Sequence, residues 1–231
     1  MQTLAITWLG HSSFRVRTPG GKELLFDPWY AGNPSFPESA RPKSADLILV
    51  SHGHSDHITD VAAMAKQTGA TVVGIWEVTS WLGSKGVQYL ERMNKGGTIT
   101  AKGLRITMTD ARHSSSFDED GIVYLGEAAG FVVTLENGQT IYYAGDTSLF
   151  GDMKMIGELY KPDIAFLPIG DRFTMGPDTA AIAAQWLGVK QVVPMHYGTY
   201  PLLTGTPEQL EQHLAGKGIE VLTLQPGETA Q

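Results

Sequence analysis

The 231-residue sequence predicts two β-sheets packed face to face, with helices covering their outer faces. Three observations carry that expectation. Short apolar runs alternating with polar residues fill the first half, as in a β-meander, while strand-like and helix-like segments alternate in the second. Residues of metal-ligand type recur just past the ends of predicted strands, where a loop gathers side chains while the sheet holds the backbone.

The chain is long enough for one substantial core, and residues 1–231 read as a single domain. A hydrophobic fraction of 42% and a charged fraction of 18% suit an ordinary globular protein. No run approaches the roughly 18 apolar residues that a membrane span needs. Met1-Gln2-Thr3-Leu4 lacks the basic and apolar regions of a secretory signal, so the expected location is cytoplasmic. Cysteine is absent, which excludes disulfides and leaves histidine and carboxylate as metal ligands. The net charge of −7 argues against nucleic acid as a partner.

Taken in order, Thr3 to Leu9 predicts a strand, with Leu4, Ile6 and Trp8 alternating against Thr3, Ala5 and Thr7. Phe14 to Arg17 and Glu23 to Phe26 form a hairpin around Pro19-Gly20-Gly21. A Pro-rich loop follows from Asn33 to Pro42. Leu47 to Val50 is a strand, Asp60 to Gln67 a helix ending near Gly69, Thr71 to Ile75 a strand, and Glu77 to Ser84 a helix stopped by Gly86. Strands return at 97–101, 104–110, 130–135 and 140–144, the last two joined by the Asn137-Gly138 turn. Helices at 153–160, 179–187 and 207–215 then alternate with strands at 164–167, 191–195 and 221–224. No linker, repeat or low-complexity tract divides the chain.

The organising stretch is Ser51-His52-Gly53-His54-Ser55-Asp56-His57. Four residues of ligand type lie within six positions between a strand and a helix. Three further candidates each follow a predicted strand: His113, Asp146 in Tyr143-Ala144-Gly145-Asp146, and His196 after Val192-Val193-Pro194-Met195. Strand ends along one edge of a sandwich meet in space. Together these residues make a cluster of five histidines and two aspartates.

His52-X-His54-X-Asp56-His57, followed by His113, Asp146 and His196, resembles the metallo-β-lactamase superfamily. Trp8-Leu9-Gly10-His11-Ser12-Ser13-Phe14, Phe173-Thr174-Met175-Gly176-Pro177 and Pro194-Met195-His196-Tyr197-Gly198-Thr199 resemble more narrowly a compact branch of cytoplasmic metal-dependent hydrolases related to ascorbate-6-phosphate lactonase. The resemblance implies an α/β, four-layer αββα sandwich of two mixed sheets with helices outside. It implies a hydrolase with two divalent transition-metal ions. His52, His54 and His113 would hold one, Asp56, His57 and His196 the other, and Asp146 would bridge them. A metal-bridged hydroxide would attack a small ester-like substrate, a lactone or a phosphodiester. Zinc suits such ligands best, although manganese, iron and nickel bind similar sets.

His54 stands where the redox branch of the superfamily carries Glu, which favours hydrolysis over electron transfer. The rival reading is a metal-dependent nuclease or RNA-processing phosphodiesterase. No RNA-clamping insertion lies between Asp146 and His196, so a small-molecule substrate is expected, with no membrane partner and with a homo-oligomer left open. Asp27, ending the third strand, is expected to orient a ligand histidine, as the resemblance implies. Asp171 and Thr199 are expected to line the pocket. His11, aimed by the turn at Gly10, is expected to act in catalysis, donating to the substrate oxygen or the leaving group from the open side of the metals.

Overall fold

The computed structural model describes residues 3–231. Its first sheet is built mainly from β1 (Ala5–Trp8), β2 (Phe14–Arg17), β3 (Glu23–Phe26), β4 (Leu47–Val50), β5 (Thr71–Ile75) and β6 (Leu90–Met93). The second comprises β7 (Thr98–Ala101), β8 (Leu104–Asp110), β11 (Ala129–Thr134), β12 (Thr140–Tyr143), β13 (Ile164–Pro168), β14 (Gln191–Met195) and β15 (Glu220–Val221). A separate hairpin joins β9 (Ser116–Asp118) to β10 (Ile122–Tyr124). The last strand, β16 (Thr229–Ala230), returns to pair with β1 and makes the first sheet seven-stranded.

Each large sheet is mixed in the same way, with three antiparallel pairings followed by three parallel ones. The expected fold of two mixed sheets with helices outside is the one observed. Its strands explain the packing. Leu47-Ile48-Leu49-Val50 is apolar at every position because β4 is parallel and covered on both faces.

The helices are α1 (Ser55–Ile58), α2 (Val61–Thr68), α3 (Trp76–Ser84), α4 (Met153–Tyr160), α5 (Pro177–Leu187) and α6 (Pro207–Leu214). Their limits follow from local chemistry. Gly69 and Gly188 close α2 and α5 in the left-handed region, at φ 70° and 67°. Thr206 and Gln209 form a capping box for α6, whose first residue is Pro207.

Between the sheets, Phe14 and Phe26 meet Tyr143 and Phe166. The Phe26 and Tyr143 rings stack 4.6 Å apart, and Phe14 meets Phe166 edge-on at 4.9 Å. All four are fully buried. Burying each contributes about 1.5–3 kcal/mol, so this cluster fixes how the two sheets meet beneath the site.

Several elements differ from the sequence reading. Leu90–Met93 is an additional edge strand whose two central residues are exposed, so apolar alternation did not mark it. The β9–β10 hairpin lies beyond His113 and is held to α3 by Phe117 against Trp81 at 5.0 Å. The strand expected at 221–224 is Glu220–Val221, although Leu222 N–H still donates to Val192 O.

Candidate metal centre

The central loop leaves β4 at Ser51 and is fixed from three sides. Ser51 N–H donates to Asp27 Oδ1 at 2.7 Å, and Ala129 N–H donates to Ser51 O at 2.9 Å. At Gly53 a Cβ would lie 2.6 Å from Leu125 Cδ1, so a side chain there would displace the loop. Gly53 N–H donates to Ser115 Oγ, which ties the loop to the segment carrying His113. His54 then caps α1, and the first turn of that helix presents Asp56 and His57.

Opposite, the turn after β12 delivers Asp146. Gly145 has φ +61°, and a Cβ there would stand 2.7 Å from Ser51 Cβ. Only glycine lets the two loops approach this closely. His196 follows β14 with φ +56°, and a Cβ on Gly170 would strike its carbonyl oxygen.

Six of the seven histidines converge here, while His213 stands apart on α6. His52, His54 and His113 form one group. His54 Nδ1 lies 3.0 Å from His52 Nε2 and 3.2 Å from His113 Nε2. Asp56, His57 and His196 form the second, joined by His11. Asp56 Oδ2 stands 3.9 Å from both His57 Nε2 and His196 Nε2. Asp146 Oδ2 faces both groups, at 3.0 Å from His196 Nε2, 3.3 Å from His57 Nε2, 3.7 Å from His113 Nε2 and 4.0 Å from His52 Nε2.

The donor set fits cations. Buried His57 donates through Nδ1 to Asp27 Oδ2 at 2.8 Å, while its Nε2 makes no hydrogen bond and looks toward Asp146. Asp146 Oδ1 is likewise buried without a partner. Lone pairs and carboxylates crowded this closely call for positive charge between them.

The electrostatics agree. Burial pushes the pKa of His52 well below the imidazole range, and it lowers His54 and His113 too, leaving neutral ligands. Burial opposes charge on His57 as well, but the Asp146 and Asp56 carboxylates outweigh it and hold that pKa well above 6.5. Burial works against ionised Asp146, yet the imidazoles of His196 and His57 hold its carboxyl well below the usual range.

The expected supporting residues fall in three kinds of place. Asp27 is fully buried with φ +41°, and its Oδ2 accepts from Ser51 Oγ, His57 Nδ1 and Tyr143 OH. Thr199 Oγ1 lies 2.9 Å from His11 Nδ1. Asp171 is exposed and lines a separate hollow with Asp178, Thr204, Gln209 and His213, with no hydrogen bond to the clustered residues. His11 was expected to face the open side. The structure places its ring at 0% exposure in the wall of the second group, with Nε2 at 3.0 Å from Asp56 Oδ2.

Sequence reasoning overlooked Ser51 and Tyr143 as partners of Asp27, although both stand beside residues it singled out. Tyr200 was also overlooked. It is 42% exposed, with its ring 6.3 Å from those of both His11 and Trp29, at the mouth of the second group.

Residues 22–197 match the model of the beta-lactamase superfamily domain. A UPF0173 metal-dependent hydrolase of Rubrobacter xylanophilus is 52% identical, over 96% of this chain and 94% of its own. One from Methanopyrus kandleri is 47% identical, over 98% and 99%. Among solved structures, a novel metallo hydrolase from the hyperthermophilic archaeon Ignicoccus hospitalis superposes with a TM-score of 0.88 at 35% identity, covering 99% of this chain and 98% of that one.

Proposed function

The chain belongs to the metallo-β-lactamase superfamily, and on that premise we propose that it is a metal-dependent hydrolase that cleaves a small ester-like bond with two divalent ions. One observation carries the two-ion reading: Asp146 Oδ2 lies within 4.0 Å of imidazole nitrogens from both histidine groups. His52, His54 and His113 would hold one ion and Asp56, His57 and His196 the other, with Asp146 placed to serve both. Zinc is the first candidate, since imidazoles and carboxylates make up the whole set. When bound, such ions make water nucleophilic near neutral pH and stabilise negative charge developing on the substrate.

The chain's own residues prepare the site for that chemistry. Asp27 fixes His57 with Nε2 inward. Burial works against ionised Asp56, yet His57 and His11 hold its carboxyl below the usual carboxylate range, so it is the acceptor placed to orient water. His11 holds Asp56 from behind through Nε2, and Thr199 holds His11. The catalytic roles of Asp56 and His11 are thus linked.

Arg112, next to His113 in the chain, and Lys95, which shares its carboxylate partner, are already paired. Arg112 Nε lies 3.0 Å from Asp110, and Lys95 is engaged by Asp110 and Glu127. That favours a small substrate over a nucleic acid chain, which draws on free lysine and arginine. No helix among the described residues is long and apolar enough to cross a membrane, and a cytoplasmic enzyme is proposed.

A panel of lactones, phosphodiesters and β-lactams, with lactones first because of the resemblance to ascorbate-6-phosphate lactonase, tests the reading. Turnover in labelled water should place one solvent oxygen in the product without a covalent adduct. A trapped adduct on a serine or threonine would overturn the mechanism. No turnover on any class would overturn the ester-like substrate.

A further inference from the structure

One imidazole reaches Asp27 directly, and a second is tied to it through a single hydroxyl. Ser51 Oγ lies 2.5 Å from Asp27 Oδ2 and 2.9 Å from His52 Nδ1, and all three residues are fully buried. The protons along this chain can be assigned. Asp27 Oδ2 acts as acceptor, since His57 Nδ1 and Tyr143 OH also point at it. The Ser51 hydroxyl therefore donates to Asp27, and its oxygen is left to accept from His52 Nδ1–H. His52 then keeps its lone pair on Nε2, the atom that faces His54 Nδ1 at 3.0 Å in the first group.

Ser51 has little freedom to do otherwise. Its amide is bound by the other Asp27 oxygen and its carbonyl by Ala129, and a Cβ on Gly145, in the turn that carries Asp146, would stand 2.7 Å from its own. We propose that Ser51 is a positioning residue: its hydroxyl holds His52 in the Nδ1–H tautomer and ties the first metal position to the carboxylate that orients His57 in the second. One buried aspartate thus governs an imidazole on each side of Asp146. A serine that merely filled space would leave the His52 tautomer unchanged when removed.

The affinity part of this proposal rests on the two-ion reading above, but the tautomer can be read with or without ions. Histidine-labelled protein followed by long-range proton–nitrogen correlation should show His52 with a protected Nδ1 proton. In Ser51→Ala that proton should exchange freely or the tautomer should become mixed. Stepwise metal titration, followed at His54 and His113 for one position and at His196 for the other, should show the first position weakened roughly 10–100-fold and the second changed by no more than about twofold. Tyr143→Phe removes a different donor to the same Asp27 oxygen, and it should leave the His52 signal intact. An unchanged His52 tautomer in Ser51→Ala, or equal weakening at both positions, overturns the proposal. Fewer than two ions in the wild-type protein overturns the two-ion reading instead, and the tautomer measurement still decides the role of Ser51.

Discussion

The imidazole rings of His11 and His196 lie with centroids 4.0 Å apart, and the His196 amide donates to the His11 carbonyl at 3.1 Å. The two residues sit at the ends of strands in opposite sheets, each with φ +56°. Side chains other than glycine take that conformation only when their surroundings hold them in it. Trp8 Nε1 supplies a second hydrogen bond to the same carbonyl. This joint closes the edge of the sandwich where the second ligand group is assembled.

His11→Ala should reduce the hydrolytic rate by roughly 10–100-fold, the usual size for losing a residue that orients a ligand carboxylate from behind. Because the ring is buried between Asp56 and Thr199, the variant should also lose about 1–3 kcal/mol of stability from partners left unmatched. Kinetics and thermal melts on one preparation check both. Full activity would remove His11 from the mechanism, and complete loss of the second ion, beyond a modest weakening, would make it a ligand.

Protein prepared without chelator should carry two transition-metal ions per chain by elemental analysis. Asp146→Asn should lower occupancy at both positions, because Asp146 Oδ2 faces both. Loss confined to one position would show that Asp146 is not shared.

Asp27→Ala should be far worse than Tyr143→Phe. It strips the acceptor from Ser51 N–H, Ser51 OH and His57 Nδ1 together, while Tyr143 OH keeps Ser12 O. At about 1–3 kcal/mol for each stranded donor, the loss approaches the whole stability of a typical domain. Tyr143→Phe removes one hydrogen bond to Asp27 and should cost about 1 kcal/mol. Denaturant melts giving equal losses for the two variants would contradict the central role of Asp27.

The metal-stripped protein should become less stable as pH falls from about 7 toward about 4. Burial and neighbouring His196 push the His11 pKa down to about 4, and burial also lowers His52, His54 and His113. A histidine lowered on folding contributes stability that is present above the unfolded value of about 6.5 and is lost as pH drops below it. His57 runs the other way. Its raised pKa contributes below about 6.5 and fades as pH climbs through the raised value. With four groups lowered against one raised, the acid side should lose, and a melting temperature constant between pH 7 and 5 would refute this balance.

How much was legible depended on range. The β4 run, the His52–His57 spacing and the glycine-capped helices are local patterns, and each emerged close to where the sequence put it. His113, Asp146 and His196 were legible because β8, β12 and β14 run in one direction and end at the same edge of the second sheet. Contacts across the sandwich left no such mark. His11 meets Asp56 across 45 positions, and Tyr143 meets Asp27 across 116. Nothing in Gly10-His11-Ser12 told a buried ring from a substrate-facing one. At Asp171, polarity beside a strand end looked like pocket chemistry, but the residue instead closes its own turn, its N–H donating to Met175 O.

The pairing of β16 with β1 makes the tail of the chain a clasp on the catalytic edge. Gly227 N–H and Glu228 O both bond to the backbone of Trp8, and Thr229 Oγ1 meets Thr7 Oγ1 at 2.8 Å. Trp8 in turn anchors His11. A nick near Gln225 would therefore free one edge of β1, the strand before the His11 turn, although its pairing with β2 and every proposed ligand stayed in place. Exposure of the tail to a protease would read out at a reacting centre it never touches.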